Sequence, residues 1–467
     1  LAFRPDRLDD LRRADALFAA GRYYDARAAY TAIVARAPRL APALLRLAIV
    51  YAVRNERAAA NEQLAYALGV GLGQADYELA RLYQGWLAAE AGQRDQAAQY
   101  WATIGERSAW LPLRRVLEAE NRLALADYAG AEAAYRAAAL AGLPSEWRAL
   151  VAARLALLRA SSDPAAALDE LDRGGTFPEP PMPAGMIYAD PLLPAAPDVR
   201  QLADALRASA DQRPLLLGQL YLNAQLYGLA EAQFAAIAPG SPSAIAAAVY
   251  AAYMQLSAGD RPEGLRRLED LVAAHPADPR ARALLALAYL SAHDAHSAQV
   301  QLAIVRAQAP SAPATHLAWA QWYAAQHDYI AAAEEYRHAL SDASPGEKGV
   351  YALAQARFHL DIALGRCEEG LPAAEAAARG LPGSPRAWTT LAIARFGCGD
   401  AAGARAAAEQ ALQHGPASAE ASYYLGRALA ALGDRPAARL ALINAADLAP
   451  RSPWRERAEA QIAALGL

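Results

Sequence analysis

One spacing constrains this chain more than any other. Between Ser418 and Pro450, Gly426 and Gly433 are followed by Ala438, Leu442 and Ala445 before Pro450 closes the stretch. Small residues recur at Gly218, Ala252, Ala286 and Ala320, and again at Ala392 and Gly426, in steps of 34 positions. That length holds about two helices of fourteen residues and two short turns. A small residue in mid first helix and another near the start of the second let two backbones approach. The larger residue four further on (Phe234, Tyr336 or Leu442) is expected to fill the gap to the next hairpin. Proline after the second helix stops it. Such a hairpin buries its apolar face only against its neighbours, so the spacing predicts an all-α stacked array.

Composition enters in two places. Hydrophobic content is 55% with only 8% aromatic residues. Much of it is alanine, which suits close-packed helices. The net charge is -4 and no basic stripe appears, which argues against a nucleic-acid partner. Lys348 is the only lysine, so arginine carries almost all positive charge.

The pattern divides the chain. Residues 1–172 read as a first array of about five hairpins, the last of them degenerate. Residues 173–200 carry prolines at 178, 180, 181, 183, 191, 194 and 197, which forbid a continuous helix. Phe177, Met182, Met186, Ile187, Tyr188, Leu192 and Leu193 make this insert too apolar for a solvated spacer, so it is expected to be extended and packed on helices. Residues 201–467 read as a second array of about seven hairpins plus a capping helix from Trp454 to Leu465, with one register slip of about four residues near Ser344-Pro345-Gly346.

The order small, glycine, aromatic, alanine, aromatic, alanine, proline closely resembles the tetratricopeptide repeat family over nearly the whole chain. Gln225, His293 and His327 depart from it, standing where the family has glycine. The resemblance implies a right-handed superhelix of antiparallel helix pairs whose first helices line a concave groove that holds protein partners. Carried onto this sequence, the candidate groove residues are Leu215, Gln219, Leu222, Val249, Tyr253, Leu256, Leu287, Leu290, Gln321, His359, Ile393, Phe396, Tyr423 and Arg427. The Lys/Asn carboxylate clamp of some family members is absent. This groove is more apolar than a solvated surface, so curvature buries it, a partner covers it, or the chain's own insert fills it.

No reaction chemistry stands out. There is no GxSxG, phosphate loop or dinucleotide fingerprint. Acidic pairs such as Glu334-Glu335 are adjacent on helices and point apart. Seven of the eight histidines lie between His275 and His359, but His293 and His327 sit on neighbouring turns, too far apart to share a metal. Recurrent acidic turn residues (Asp25, Asp95, Asp127, Asp260, Asp294, Asp328, Asp400, Asp434) read as helix caps. Cys367 and Cys398 fall on adjacent hairpins about 10 Å apart, and the expectation is two free thiols. The sequence opens on Leu1, so an upstream leader or anchor is expected, with the bacterial cell envelope favoured over the cytoplasm.

The expected function is a non-enzymatic protein–protein interaction scaffold without cofactor, metal or catalytic residue. One alternative is a structural subunit of a membrane-associated or surface assembly. Another is an envelope-polysaccharide-acting enzyme or accessory, for which Glu420 is the nearest thing to a candidate acid.

Overall fold

The computed structural model describes residues 5–173, 185–194, 196–276, 279–362, 364–415 and 417–466. Helices follow one another from Pro5–Ala19 to Pro453–Ala464, with no strand among the described residues. They pack as adjacent antiparallel pairs, for example Leu111–Ala124 on Tyr128–Ala141, Pro385–Gly397 on Ala401–His414, and Ala419–Ala431 on Arg435–Leu448. The chain forms two compact units, Leu1–Ala247 and Ala248–Leu467, and residues 173–200 lie within the first.

The hairpin seam shows why the spacing exists. A methyl group on Gly426 would stand 2.6 Å from the Leu442 side chain, and one on Gly218 would stand 2.4 Å from Phe234. In the first unit Gly85 meets the Trp101 ring in the same way, at 2.1 Å. The larger residue was expected to reach the next hairpin. Tyr336 does so, its ring 4.7 Å from Phe358, whereas Leu442, Phe234 and Trp101 fill the notch left by the glycine of their own hairpin, which fixes how far the paired helices can slide.

Turns between paired helices use left-handed backbone. Gly259, Gly399 and Gly433 take φ of 91°, 85° and 85°. Asn55, Ala126, Gln225, His293 and His327 adopt the same region without being glycine, at φ between 58° and 62°. An L-residue there costs about 1–2 kcal/mol. Ala126→Gly is therefore expected to stabilise the first unit by about 1 kcal/mol, measured as a raised urea midpoint; an unchanged or lowered midpoint would contradict the strain. Acidic caps follow six of these eight turns, those at Asn55 and Gln225 being without one. Asp127, Asp260, Asp294, Asp328, Asp400 and Asp434 each accept the backbone N–H three residues on. Asp25 and Asp95 lie inside the first helical turn and do not cap it.

The insert departs from its expected conformation. Met186–Tyr188 and Asp190–Leu192 are single 3-10 turns, not extended chain. Gly185, at φ 96°, reverses the backbone into the first turn, and Pro191 pre-sets the second. Phe177 and Met182 lie outside the described residues. Of the others, Tyr188 and Leu192 are buried, Met186 and Leu193 half-buried, and Ile187 exposed. Tyr188 is 3% exposed. Its ring lies 4.9 Å from Phe18, with the Arg46 guanidinium 5.3 Å from its centroid. Its hydroxyl is 3.3 Å from that of Tyr30, which donates to Asp15 at 2.7 Å. The Tyr83 hydroxyl donates to the Tyr188 carbonyl at 2.5 Å. Burial pushes the hydroxyls of Tyr30, Tyr83 and Tyr188 well above the ordinary phenol range, so all three stay protonated donors.

The cysteines correct a second expectation. Cys367 and Cys398 form a disulfide, with Cα atoms 5.7 Å apart. Cys367 lies in a wide π-helical turn, Arg366–Gly370, ahead of the helix Leu371–Gly380. Cys398 caps the next first helix, Pro385–Gly397, and the Arg366 side chain lies over Gly397, so the two turns are in direct contact where the expectation had kept them about 10 Å apart.

Candidate protein-binding surface

The candidate groove residues divide between the units. Leu215 and Gln219 are half-buried in the first unit and Leu222 is buried. The first unit also holds a cleft of about 500 Å³ lined by Arg94, Glu120, Tyr128, Arg154 and Tyr227 among others. Its Glu120 is already engaged, accepting from the Tyr135 hydroxyl and from Arg154 at 2.9 Å.

In the second unit, Val249 and Leu256 are half-buried against Ala252, Leu268 and Leu271. Tyr253, between them on the same helix, is 57% exposed. Leu287 and Gln321 are half-buried, and Leu290 packs beside Ala318 and Trp319. Ile393 leans on the alanine-rich cluster around Ala392 and Ala408.

His359 does not share this face. It is 1% exposed, its Nδ1 lies 2.7 Å from the Leu364 carbonyl oxygen, and its Nε2 lies 3.4 Å from Glu369. Its ring packs against Gly365 and Gly370 at the two ends of the π-turn. Arg357, two positions earlier, takes the place expected of it. Its Nη1 and Nη2 donate to the two carboxylate oxygens of Glu420 at 3.1 and 3.0 Å, a two-pronged pair. Glu420, the nearest candidate for a catalytic acid, thus has both oxygens held by a guanidinium.

Around this pair lies an aromatic cluster. The Arg427 guanidinium sits 4.3 Å from the Phe396 ring centroid and 5.8 Å from those of Tyr423 and Tyr424. Trp454 lies 5.4 Å from Tyr423 and carries Arg457 over its face at 4.8 Å. The candidate set contained Phe396, Tyr423 and Arg427 but missed Trp454 and Arg457. Both stand 34 positions after recognised groove sites, Glu420 and Tyr423, so continuing the period into the capping helix would have found them.

The 34-residue hairpins, their glycine-to-large-residue seams and their left-handed turns give the chain the architecture of a tetratricopeptide-type helical array. No family model matches the chain, and no curated protein sequence matches it. Among solved structures it is similar to Cut9 in the APC/C hetero-tetramer Cut9-Hcn1, with 14% identity and a TM-score of 0.41 over 98% of this chain and 88% of that one. It is also similar to yeast Tom70, with 12% identity and a TM-score of 0.40 over 93% of this chain and 96% of that one. PilW, a type IV pilus biogenesis factor, matches 48% of this chain over its whole length, with 15% identity and a TM-score of 0.40.

Proposed function

We propose that the chain is a non-enzymatic scaffold whose second unit holds a protein partner on the face formed by Tyr253, Leu256, Leu287, Leu290, Phe396, Tyr423 and Arg427. One observation carries this reading. In the first unit the chain's own Tyr188 packs onto Phe18, Tyr30 and Tyr83, whereas in the second unit Tyr253 is 57% exposed and Phe396 half-buried. Exposed tyrosine beside half-buried leucine is the composition of an interface centre. The disulfide supports a place in an oxidising compartment, since such bonds persist outside the reducing cytoplasm.

The test uses the intact protein as bait in extract of its native cells, with carboxylate-reactive crosslinking because Lys348 is the only lysine. A specific partner is expected to crosslink to the second unit. Tyr253→Ala is expected to weaken its recovery about tenfold or more, as interface tyrosines typically do. Equal recovery by wild type and variant, or crosslinks confined to the first unit, would overturn the assignment.

A further inference from the structure

We infer that the C-terminal end of the second unit's face, built on Arg386, Phe396, Tyr423, Arg427, Trp454 and Arg457, recognises an acidic segment of the partner protein. The inference rests on the reading that this face holds a protein, and adds the chemistry of what it holds.

The argument is one of charge without a counter-charge. Several arginines of the second unit face a carboxylate: Arg357 faces Glu420, Arg395 faces Glu375, Arg405 faces Glu409. Arg386, Arg427 and Arg457 do not; among the described residues none has an ion-pair partner within 4 Å. Arg427 and Arg457 instead lie over aromatic rings, which hold a guanidinium in place without neutralising it. Glu420 offers no neutralisation, since its two oxygens are taken by Arg357. A concentration of unpaired positive charge thus lies on one face of a chain whose net charge is -4.

The period gives the geometry. Arg386, Glu420 and Trp454 occupy one position in three successive units, and Thr389, Tyr423 and Arg457 another. Arg427 and Arg457 flank Tyr423, which lies 5.8 Å from the first guanidinium and 5.4 Å from the Trp454 ring that carries the second. Carboxylate side chains would meet the planar edges of Arg427 and Arg457 while intervening apolar side chains rest on Phe396, Tyr423 and Trp454. A nucleic acid or other polyanion would be drawn by the same charge, and the experiment separates that case.

The probe is a fluorescein-labelled twelve-residue peptide alternating Asp or Glu with Leu, compared with its Asn/Gln isostere and with a single-stranded oligonucleotide, read by anisotropy. The acidic peptide is expected to bind at least tenfold more tightly than the isostere and to weaken as salt rises. Arg427→Gln and Arg457→Gln are each expected to cost about tenfold, while Arg427→Lys, which keeps the charge, costs less. Melting curves of each variant show whether the fold is intact. Equal binding of the two peptides, equal binding of the oligonucleotide, or no loss in folded Arg→Gln variants would overturn the inference. If Tyr253→Ala abolishes partner capture while both Arg→Gln variants retain it, the scaffold reading stands and the acidic-segment inference fails. If none of the three affects capture, both fail.

Discussion

Tyr188→Ala is expected to lower the stability of the first unit by about 3–5 kcal/mol, the range for deleting a buried aromatic ring. The ring is 3% exposed and touches Phe18 and Arg46, and the hydroxyl belongs to a chain running through Tyr30 to Asp15. Removing it leaves a cavity and strips Arg46 of its aromatic partner, although the Arg46–Asp15 ion pair at 3.3 Å remains. Tyr188→Phe keeps the ring and the backbone carbonyl that Tyr83 bonds, and its expected cost is nearer 1 kcal/mol. Trp101, Trp110 and Trp147 are buried in the same unit, so their fluorescence reports its urea unfolding. A midpoint shift no larger than that of Tyr66→Ala, a residue 48% exposed, would sink the prediction.

Loss of the Cys367–Cys398 bond is expected to cost the second unit about 3–4 kcal/mol by the loop-entropy relation for its sequence separation of 31. The loss should be local. The wide turn Arg366–Gly370 is held by the disulfide, by the His359 contact with the Leu364 carbonyl, and by Arg366 lying over Gly397. In the double Cys→Ser variant its amides should exchange with solvent much faster, while amides of the first unit keep their rates. Two thiols reacting freely in the untreated, non-reduced protein would refute the pairing outright. Unchanged exchange in the variant would refute its role in holding the turn.

The architecture was legible because it is written in steric terms that a sequence carries directly. Gly426 opposite Leu442 and Asp434 ahead of its helix need only spacing to be recognised. Gln225, His293 and His327 read in the sequence only as departures from glycine, yet the backbone takes the same left-handed turn there. Features that the period does not carry were not legible. The π-turn at Arg366–Gly370 is a local change of helical winding that adds no residue to the period, so neither the Cys367–Cys398 bond in it nor the burial of His359 against it follows from counting. Of the candidate residues, Phe396, Tyr423 and Arg427, chosen by period, lie together in one aromatic cluster, while His359, chosen by the same period, is buried, and Arg357 two residues earlier reaches Glu420.

An array of hairpins that touch only their neighbours can begin folding anywhere and fray from either end. Tyr188 removes that freedom from the first unit. Its contacts with Tyr30 and Tyr83 join residues 158 and 105 positions apart. Those contacts cannot form until the hairpins between them are in place, because closing so long a loop is entropically costly before its ends are ordered. The tyrosine is thus a keystone, set last and binding the whole arch. The first unit should consequently open in one step rather than unzip, and should refold more slowly than a plain repeat array of its length.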